Sequence, residues 1–449
     1  MRAGTRLVLT TISILLLSTC GGTDTNSPEL DGTWGAAQLL ETNGNSWATI
    51  PQVAFEAGGD AIVVWEQWEG EGEIRFNRFT EGGWGTEGAV PGSAGGWMAR
   101  AASDRNGHVI AVWQSVDVSA GVIRASRYVT GQGWGLAELV FGDNAAGACN
   151  PEIAADRRGN AVVVWQQDNV IGARGYDAVN GWGTASVISD NAEFAHGARV
   201  AFDNNGSAIA VWHQSDGAVQ GIRWRRYAVD GGWDVPAPAL DNAGVDAAVA
   251  APSIASNDRG DAVAAWHRSW TDNVTLAVNV WARIYDPVDG WGPAIMISDN
   301  TGYATSPQVA IDPDGNAVAI WRQFNGTSYV ARANRYARGR GWGTAVVIGP
   351  QGAGDGDAIP TQVALDPGGN AFAVWTQALP GPFHAWANRY RKDVGWGTPS
   401  VLDNNDNYRA SDARLAIDDA GNAIAVWQQL PSGGAVYDIW ARRFRKRVP

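Results

Sequence analysis

The sequence predicts an all-β fold, an eight-bladed β-propeller, and three observations support that prediction. A hairpin written VAxDxxGNAVAVW recurs eight times along the 449 residues, at intervals of 47 to 55 residues. Each repeat holds four short apolar segments separated by Gly-marked turns, and tandem four-stranded units are typical of propeller blades. The last repeat lacks its fourth segment, while a spare copy of that segment precedes the first repeat. Such complementation closes a ring, whereas an open array has no need of it.

Two columns of residues define the hairpin. A Trp closes its second strand in every repeat: Trp65, Trp113, Trp165, Trp212, Trp266, Trp321, Trp375 and Trp427. An acidic or amide residue lies nine positions earlier: Glu56, Asp104, Asp156, Asp203, Asn257, Asp312, Asp366 and Asp418. A Gly follows this residue after three positions, where it can adopt positive φ. Because Asp and Asn oxygens accept bonds from the backbone N–H groups of a turn, we interpret this column as turn structure rather than as a metal or catalytic site.

Both faces of the predicted strands are apolar. In AVAIW, Ala317, Ala319 and Trp321 share one face, while Val318 and Ile320 share the other. A sheet with two apolar faces must be covered on both sides. We therefore expect the hairpin tryptophans, and those of the recurring Gly-Trp-Gly turn, to pack between blades rather than to bind a ligand.

The predicted ring closes through its N-terminal segment. TWGAAQLL, which contains Trp34, precedes the first hairpin, and the chain ends soon after Phe444 without a matching segment. The N-terminal strand is therefore predicted to complete the last blade. Residues 31–449 then form a single propeller.

The hairpin resembles the bacterial tandem propeller repeats of the NHL type, whose units contain a similar VAVDxxGN hairpin. It is also similar to the Asp-box hairpin of sialidase-like propellers and, in style, to the blades of quinoprotein-type eight-bladed propellers. These resemblances imply the fold; they do not imply one activity, because propellers host many functions.

The N-terminus has the features of an export signal. Arg2 and Arg6 precede the apolar run Leu7 to Leu17, which is too short to span a bilayer. The run ends in LSTC, which resembles the lipobox of bacterial lipoproteins, so residues 1–20 are predicted to be a lipoprotein signal with Cys20 as the lipidated residue. An ordinary cleaved signal peptide is the alternative. Residues 21–30 are predicted to be a flexible tether, and Gly21, by the lipoprotein resemblance, points to the outer membrane or cell surface.

Charge and composition limit the possible partners. The net charge of −13 argues against a nucleic-acid partner, and contact with a membrane is expected only through the lipid. We expect a monomer. No cofactor is predicted, although DNNDN at 403–407 and GDGD at 354–357 contain oxygen ligands of the kind that Ca²⁺ prefers.

The candidate binding surface is the face that we call the long-loop face. It consists of the loops that join second to third strands and of the loops that join blades, which are long and variable, whereas the DxxG and Gly-Trp-Gly turns on the opposite, short-turn face are short. Rings next to carboxylates and amides suit sugar binding and also suit a protein partner. The candidate ligand-binding residues are Trp47, Trp97, Phe194, Tyr303, Tyr408, Asp190, Asp299 and Asp403. The alternative is that the aspartates make turns and the rings fill gaps between blades.

A Gln recurs two residues after the hairpin Trp in six repeats. It is expected either to bond backbone between neighbouring blades or to line the channel of the ring.

The sequence contains few signals of catalysis. None of the five His residues lies in a metal-ligand motif, and no GxSxG segment is present. Carboxylates that converge from different blades remain possible. The sequence therefore predicts a non-enzymatic binding module for glycan or protein; the alternatives are a glycan-active hydrolase or lyase on the same scaffold and an envelope-assembly scaffold.

Overall fold

The computed structural model describes residues 32–447, except 43–45, 118–119, 143–146, 191–193, 218, 236–237, 243–246, 272–275, 351–355, 379–380, 404–408 and 431–433. The prediction of an all-β propeller is confirmed: the described residues form eight antiparallel sheets, and their one helical segment is the 3₁₀ turn Ala57–Gly59. In this part of the chain no helix has the length and apolarity needed to cross a membrane.

Each blade has three long strands. The first strands are Trp47–Phe55, Gly96–Ser103, Ala148–Ala155, Phe194–Phe202, Ala247–Ser256, Ala304–Ile311, Ala358–Leu365 and Arg409–Ile417. The second strands are Ala61–Glu69, His108–Asp117, Ala161–Gln167, Ser207–Ser215, Ala262–Thr271, Ala317–Phe324, Ala371–Ala378 and Ala423–Leu430. The third strands are Glu71–Thr80, Ala120–Val129, Val170–Asp177, Gln220–Ala228, Leu276–Asp286, Tyr329–Ala337, Phe383–Arg391 and Asp438–Lys446. Blades are numbered 1 to 8 in this order.

The fourth strand is divided into two short pieces. The Gly-Trp pieces are Gly32–Trp34, Gly83–Trp84, Gly133–Trp134, Gly181–Trp182, Gly232–Trp233, Gly290–Trp291, Gly341–Trp342 and Gly395–Trp396. The second pieces are Gln38–Leu39, Gly88–Ala89, Glu138–Phe141, Ser186–Val187, Asp241–Asn242, Ile295–Met296, Val346–Val347 and Ser400–Val401. Both pieces pair with the third strand of the blade, as Trp84 pairs with Phe79 and Ala89 with Arg75.

The first strands form the inner wall of the ring. The first strand of each blade packs against the first strands of both neighbouring blades. The second and third strands follow outward as an antiparallel meander, and the fourth forms the outer edge. Side chains on the first strands therefore line a central channel.

The acidic column forms turns, as the sequence analysis interpreted it. The Asp156 carboxylate accepts bonds from the backbone N–H groups of Arg158 at 2.9 Å and Asn160 at 2.8 Å. Gly159 adopts a φ of +86°, which a residue with a side chain rarely tolerates. The turn therefore requires an acceptor at its start and a Gly at its end.

The apolar core lies between blades. One cluster of buried residues combines Phe372 and Val374 of blade 7 with Leu415 and Trp427 of blade 8, and equivalent clusters lie at the other interfaces. The hairpin tryptophans are fully buried at these interfaces. The expectation that they pack between blades is confirmed.

The Gln that follows the hairpin Trp has a role that the sequence analysis did not predict. In blade 1 the indole Nε1–H of Trp65 donates to Oε1 of Gln67 at 2.7 Å. The same bond recurs at four more positions, to Gln214, Gln323, Gln377 and Gln429. Because residues i and i+2 of a strand share a face, this Gln satisfies the buried indole of its own blade. Neither a bond to the neighbouring backbone nor a channel ring accounts for the column.

The N-terminal strand closes the ring. Gly32, Thr33 and Trp34 pair with Lys446, Arg445 and Phe444 of blade 8. The Trp34 ring lies 5.4 Å from that of Phe372 and 5.7 Å from that of Phe444. A Cβ atom on Gly32 would lie 2.3 Å from the Phe444 ring, so only Gly permits this approach.

Trp34→Ala tests the closure. The substitution removes the half-buried ring that packs on Phe372 and Phe444, and we expect a loss of about 3 kcal/mol in the free energy of unfolding. Denaturant unfolding followed by tryptophan fluorescence measures the change. Val179→Ala, at a residue that is 91% exposed, is the control and should change the free energy by no more than about 0.5 kcal/mol. Equal stability of the two variants would contradict a closing role for this strand.

Candidate functional site

Trp47 lies on the long-loop face at the start of the first strand of blade 1. Its side chain is 49% exposed, and its ring meets Tyr437 edge-on with centroids 5.8 Å apart. Trp68, which is also exposed, pairs with Trp47 across the sheet. Three aromatic residues of blades 1 and 8 therefore form one exposed cluster, in which Trp68 and Tyr437 had no predicted role.

Phe194 and Tyr303 occupy the same strand position as Trp47, nine residues before the turn acid, on blades 4 and 6. Their side chains are 41% and 39% exposed. Tyr303 stacks on Phe324 with centroids 6.5 Å apart, and both line a shallow cavity of about 390 Å³ together with Leu276 and Asn300. The exposed rings therefore lie on separate blades and do not form one patch.

The remaining predicted aromatic residues differ from these. Trp97 is half-buried on the first strand of blade 2. Its position is two residues further along the strand than that of Trp47, measured from the turn acid. Tyr408 lies outside the described residues.

The predicted aspartates are bonded to the blades behind them. Asp403 is 4% exposed and accepts bonds from the backbone N–H of Ala385 at 2.7 Å and from Nδ1 of His384 at 3.0 Å. Asp190 accepts a bond from Nε2 of Gln214 at 3.4 Å. These bonds connect the blade-to-blade loops to the hairpin.

Asp299 is more accessible and is ion-paired. Its carboxylate lies 2.6 Å from Arg332 and also accepts bonds from Gln323 and from Thr301. Burial alone would raise the pKa of Asp299, but the Thr301 and Gln323 hydrogen bonds and the Arg332 charge outweigh burial and lower it. Asp299 therefore remains ionised at neutral pH.

Glu41 is a titratable residue that the sequence analysis missed. It follows Leu40 as Asp241 and Asp403 follow Leu240 and Leu402, and this equivalence was the signal that could have found it. Its side chain accepts a bond from Nε2 of Gln67 at 3.0 Å. Burial, and then the neighbouring Asp438 carboxyl, raise the pKa of Glu41 to about 8. Glu41 is thus protonated at neutral pH and only 2% exposed.

A second missed feature is charge in the central channel. The residue four positions before each turn acid lines the channel: Gln52, Arg100, Glu152, Arg199, Ser253, Gln308, Gln362 and Arg414. These residues surround a cavity of about 270 Å³. Three of them are arginines and one is a glutamate, so the ring has a formal charge of +2, although the whole chain has a net charge of −13.

Two histidines meet on the first and second strands of blade 4. Nδ1 of His196 lies 2.9 Å from Nδ1 of His213, and burial lowers the pKa of both imidazoles. They are therefore neutral at pH 7. Within the described ranges, no group of three or more His, Cys, Asp or Glu side chains is placed to hold a metal ion. Most of the predicted Ca²⁺ stretch at 403–407 and part of the one at 354–357 lie outside these ranges.

Comparison with family models and with curated proteins finds no match. Among solved structures, the chain is similar to a polysaccharide lyase described as an ulvan lyase, with a TM-score of 0.51, 10% identity, and coverage of 91% of this chain and 95% of that one. A protein of unknown function from Dyadobacter fermentans aligns with a TM-score of 0.43, 14% identity, and coverage of 93% and 100%. A lectin from Aleuria aurantia aligns with a TM-score of 0.36, 13% identity, and coverage of 70% and 100%. At these identities the likeness shows the fold alone.

Glu41→Gln tests the state of the buried acid. The pKa of Glu41 is about 8 in the folded chain against 4.5 as the ordinary value, so folding stability is lost as the pH rises from about 4.5 to 8. Gln imitates the protonated carboxyl and should escape that loss. We expect the melting temperature of the variant, relative to the unmodified protein, to be higher at pH 8.5 than at pH 4.5 by at least about 1 °C.

Differential scanning calorimetry at both pH values provides the measurement. The control is Glu81→Gln, at an exposed residue of a short turn, which should show the same offset at both pH values. An offset for Glu41→Gln that does not change with pH would contradict the protonated state.

Proposed function

We propose that this chain is an exported, lipid-anchored β-propeller that binds a glycan non-enzymatically through its long-loop face. The observation that carries the proposal is the set of exposed rings on that face. Trp47, Phe194 and Tyr303 project from equivalent positions of a rigid scaffold. Flat, exposed rings stack on sugar faces and lose little conformational entropy on binding.

The neighbouring polar groups support the same proposal. Asp299 is ionised, and Asn300 and Thr301 line the cavity in which Tyr303 and Phe324 stack. Carboxylate, amide and hydroxyl groups beside a ring can bond sugar hydroxyls. A glycan-related function is also consistent with the similar lyase, which has been solved with -[GlcA(1-4)Rha3S]- bound.

A glycan-active hydrolase or lyase is the second candidate, and Glu41 is the observation that favours it. A carboxyl group with a raised pKa beside a second carboxyl resembles the acid of a glycosidase. However, Glu41 is 2% exposed and donates or accepts within the blade, so a substrate cannot reach it in this conformation. Binding without catalysis is therefore the better supported function.

Lipid anchoring belongs to the proposal through Cys20, which lies outside the described residues. The LSTC segment supports it, and the cell envelope is then the proposed location, at the outer membrane or cell surface. The described part of the chain contains one cysteine, Cys149, and it is free.

A glycan-array screen of the ring, produced from residue 21 onward, tests the binding proposal. The variant is Trp47→Ala, Trp97→Ala, Tyr303→Ala, which removes rings from blades 1, 2 and 6. We expect the unmodified ring to bind a glycan class and the variant to lose at least tenfold in affinity, since stacked rings contribute about 1.4 kcal/mol or more.

The matched control is Leu139→Ala, Val187→Ala, Val346→Ala, which removes three exposed apolar side chains from the outer edges of blades. It should bind as the unmodified ring does. No binding by the intact ring, with its fold confirmed by circular dichroism, would contradict the glycan proposal and leave a protein partner as the leading hypothesis. Turnover of a bound glycan would instead support the hydrolase or lyase.

Cys20→Ser tests the anchor. A lipobox cysteine carries the acyl chains, so we expect the full chain to incorporate an alkyne-labelled fatty acid in a bacterial host and the variant to incorporate none. Cys149→Ser is the matched control and should be labelled like the unmodified chain. Labelling that survives in Cys20→Ser would exclude this residue as the lipid site.

A further inference from the structure

The charged residues of the central channel are placed there by a recurring irregularity of the first strands. Every first strand has a register shift just before its channel residue, as between Trp97 and Arg100. In seven blades the residue two positions before the channel residue adopts a φ between +50° and +65°: Ile50, Met98, Asn150, Gly197, Ala251, Ser306 and Asp412. Such a bulge redirects the side chain that follows it.

The bulge is held by the preceding blade. The backbone N–H of Ile50 donates to Oε1 of Gln428 at 2.9 Å, and that of Asn150 donates to Oε1 of Gln114 at 3.2 Å. Met98 makes the same bond to Glu66. The direction of the channel side chains is therefore built into the contacts between blades.

Some channel residues have a structural role that the arginines lack. Oε1 of Gln362 accepts the backbone N–H of Leu415 at 2.9 Å, and Oγ of Ser253 accepts that of Val309 at 3.3 Å. Both bonds join one blade to the next. The guanidinium groups of Arg100, Arg199 and Arg414 instead each donate to the carbonyl of the preceding Ala on their own strand.

The positive charge of the channel is not balanced. Glu152 accepts Arg100 at 3.1 Å and lies 3.3 Å from Arg199, so one carboxylate serves two guanidinium groups. Burial alone would raise the pKa of Glu152, but Arg199 and Arg100 outweigh burial and lower it, so the carboxyl stays ionised. Among the described residues, no carboxylate lies within 4.0 Å of Arg414.

Arg414 is the residue that lacks a counter-charge. Burial, and then the like charge of Arg100, lower the pKa of Arg414 to about 10. The amide Nε2 of Gln52, on the adjacent blade 1, is also buried without a hydrogen-bond partner in the described part of the chain. A guanidinium and an amide donor therefore point to an acceptor that the chain does not supply.

The channel is restricted at its short-turn end. There the first residue after the turn acid forms a second ring, in which Arg157 lies 3.4 Å from Asp258 and from Asp419, and Arg105 pairs with Asp419. These cross-channel ion pairs balance their own charges. A ligand would therefore reach the arginines from the long-loop face.

From this geometry we infer that the channel between Arg100, Arg199 and Arg414 binds an oxyanion, a carboxylate or a sulfate, that enters from the long-loop face. Guanidinium groups bind such anions through paired N–H donors, and the low-dielectric walls strengthen the attraction. The anion replaces the missing partner of Arg414. The cavity of about 270 Å³ has room for a group of about monosaccharide size.

Two sources supply this chemistry: a free small anion, or an acidic substituent of a sugar chain. The site itself does not depend on the glycan proposal; only the second source does. A glycan that placed an acidic residue in the channel would extend outward over the long-loop face.

Isothermal titration of the soluble ring at constant ionic strength, with sodium sulfate and with galacturonate, tests the inference. Glucose is the uncharged control. We expect saturable, one-site binding of sulfate and galacturonate and none of glucose. Arg414→Gln should weaken sulfate binding at least about tenfold, because a hydrogen bond to a charged group contributes about 1.5 kcal/mol or more. Arg340→Gln, at an exposed arginine of a short turn, is the matched control and should bind like the unmodified ring.

A second variant gives the opposite sign. Glu152→Gln releases Arg100 and Arg199 from their carboxylate and should bind sulfate more tightly than the unmodified ring. This variant also keeps the test decisive if Arg414→Gln does not fold. Absence of sulfate and galacturonate binding, or equal affinity in the unmodified ring and both channel variants, would overturn the inference.

A trimer of galacturonate distinguishes the sources. If the trimer competes with sulfate and binds more tightly than the monomer, the anion belongs to a sugar chain; equal affinities indicate a free anion. The sulfate experiment contains no glycan, and the rings removed for the array lie outside the channel. Failure of either proposal therefore leaves the other standing.

Discussion

Every blade of this molecule has two apolar faces, and the burial of those faces against neighbouring blades is the constraint on which the rest of the structure depends. No buried cluster belongs to one blade. Phe372 of blade 7 packs with Trp427 of blade 8, and Ile424 of blade 8 packs with Trp65 of blade 1. The last interface exists only if the ring closes, so the N-terminal strand completes a surface that all the blades share.

The same constraint leaves the channel free to vary. Packing fixes the second strands, which repeat small apolar residues and a Trp, and hydrogen bonding fixes the turns. The residue that follows each bulge faces the channel, where it meets no apolar neighbour. Arg, Glu, Gln and Ser all occur at that position. Six bulges place a non-Gly residue at positive φ, a costly conformation that persists because the preceding blade holds its amide.

The sequence was sufficient for the fold because each strand and turn repeats eight times in the same columns. The Asp-to-Gly step predicted turns such as Asp156 to Gly159, and the spare Trp34 segment predicted closure. The role of Gln67 was predicted wrongly, because the analysis considered distant partners and not the residue two positions earlier on the same strand face. The aspartates of the blade-to-blade loops were recognised as a column, but the bonds from Asp190 to Gln214 and from Asp403 to His384 depend on rotamers that no pattern specifies.

The channel arginines could not be predicted because the bulge interrupts the alternation on which strand patterns rest. Arg100, Arg199 and Arg414 lie far apart in sequence, and only the ring brings them together. Glu41 was missed for a related reason. Its raised pKa comes from burial and from Asp438, which arrives from the other end of the chain through closure. Properties that arise from one column could be predicted, whereas those that arise between columns could not.

The strand that closes the ring also determines how the molecule would stand on a membrane. Gly32 pairs with Lys446 at the end of a third strand, so the chain enters the propeller at the short-turn face. A lipid on Cys20 would be joined to this point by residues 21–31, which even fully extended reach no more than about 40 Å. The short-turn face, with the ion-paired end of the channel, would then lie toward the bilayer. The open end and the exposed rings would point away from the cell, toward molecules too large to pass beneath the ring.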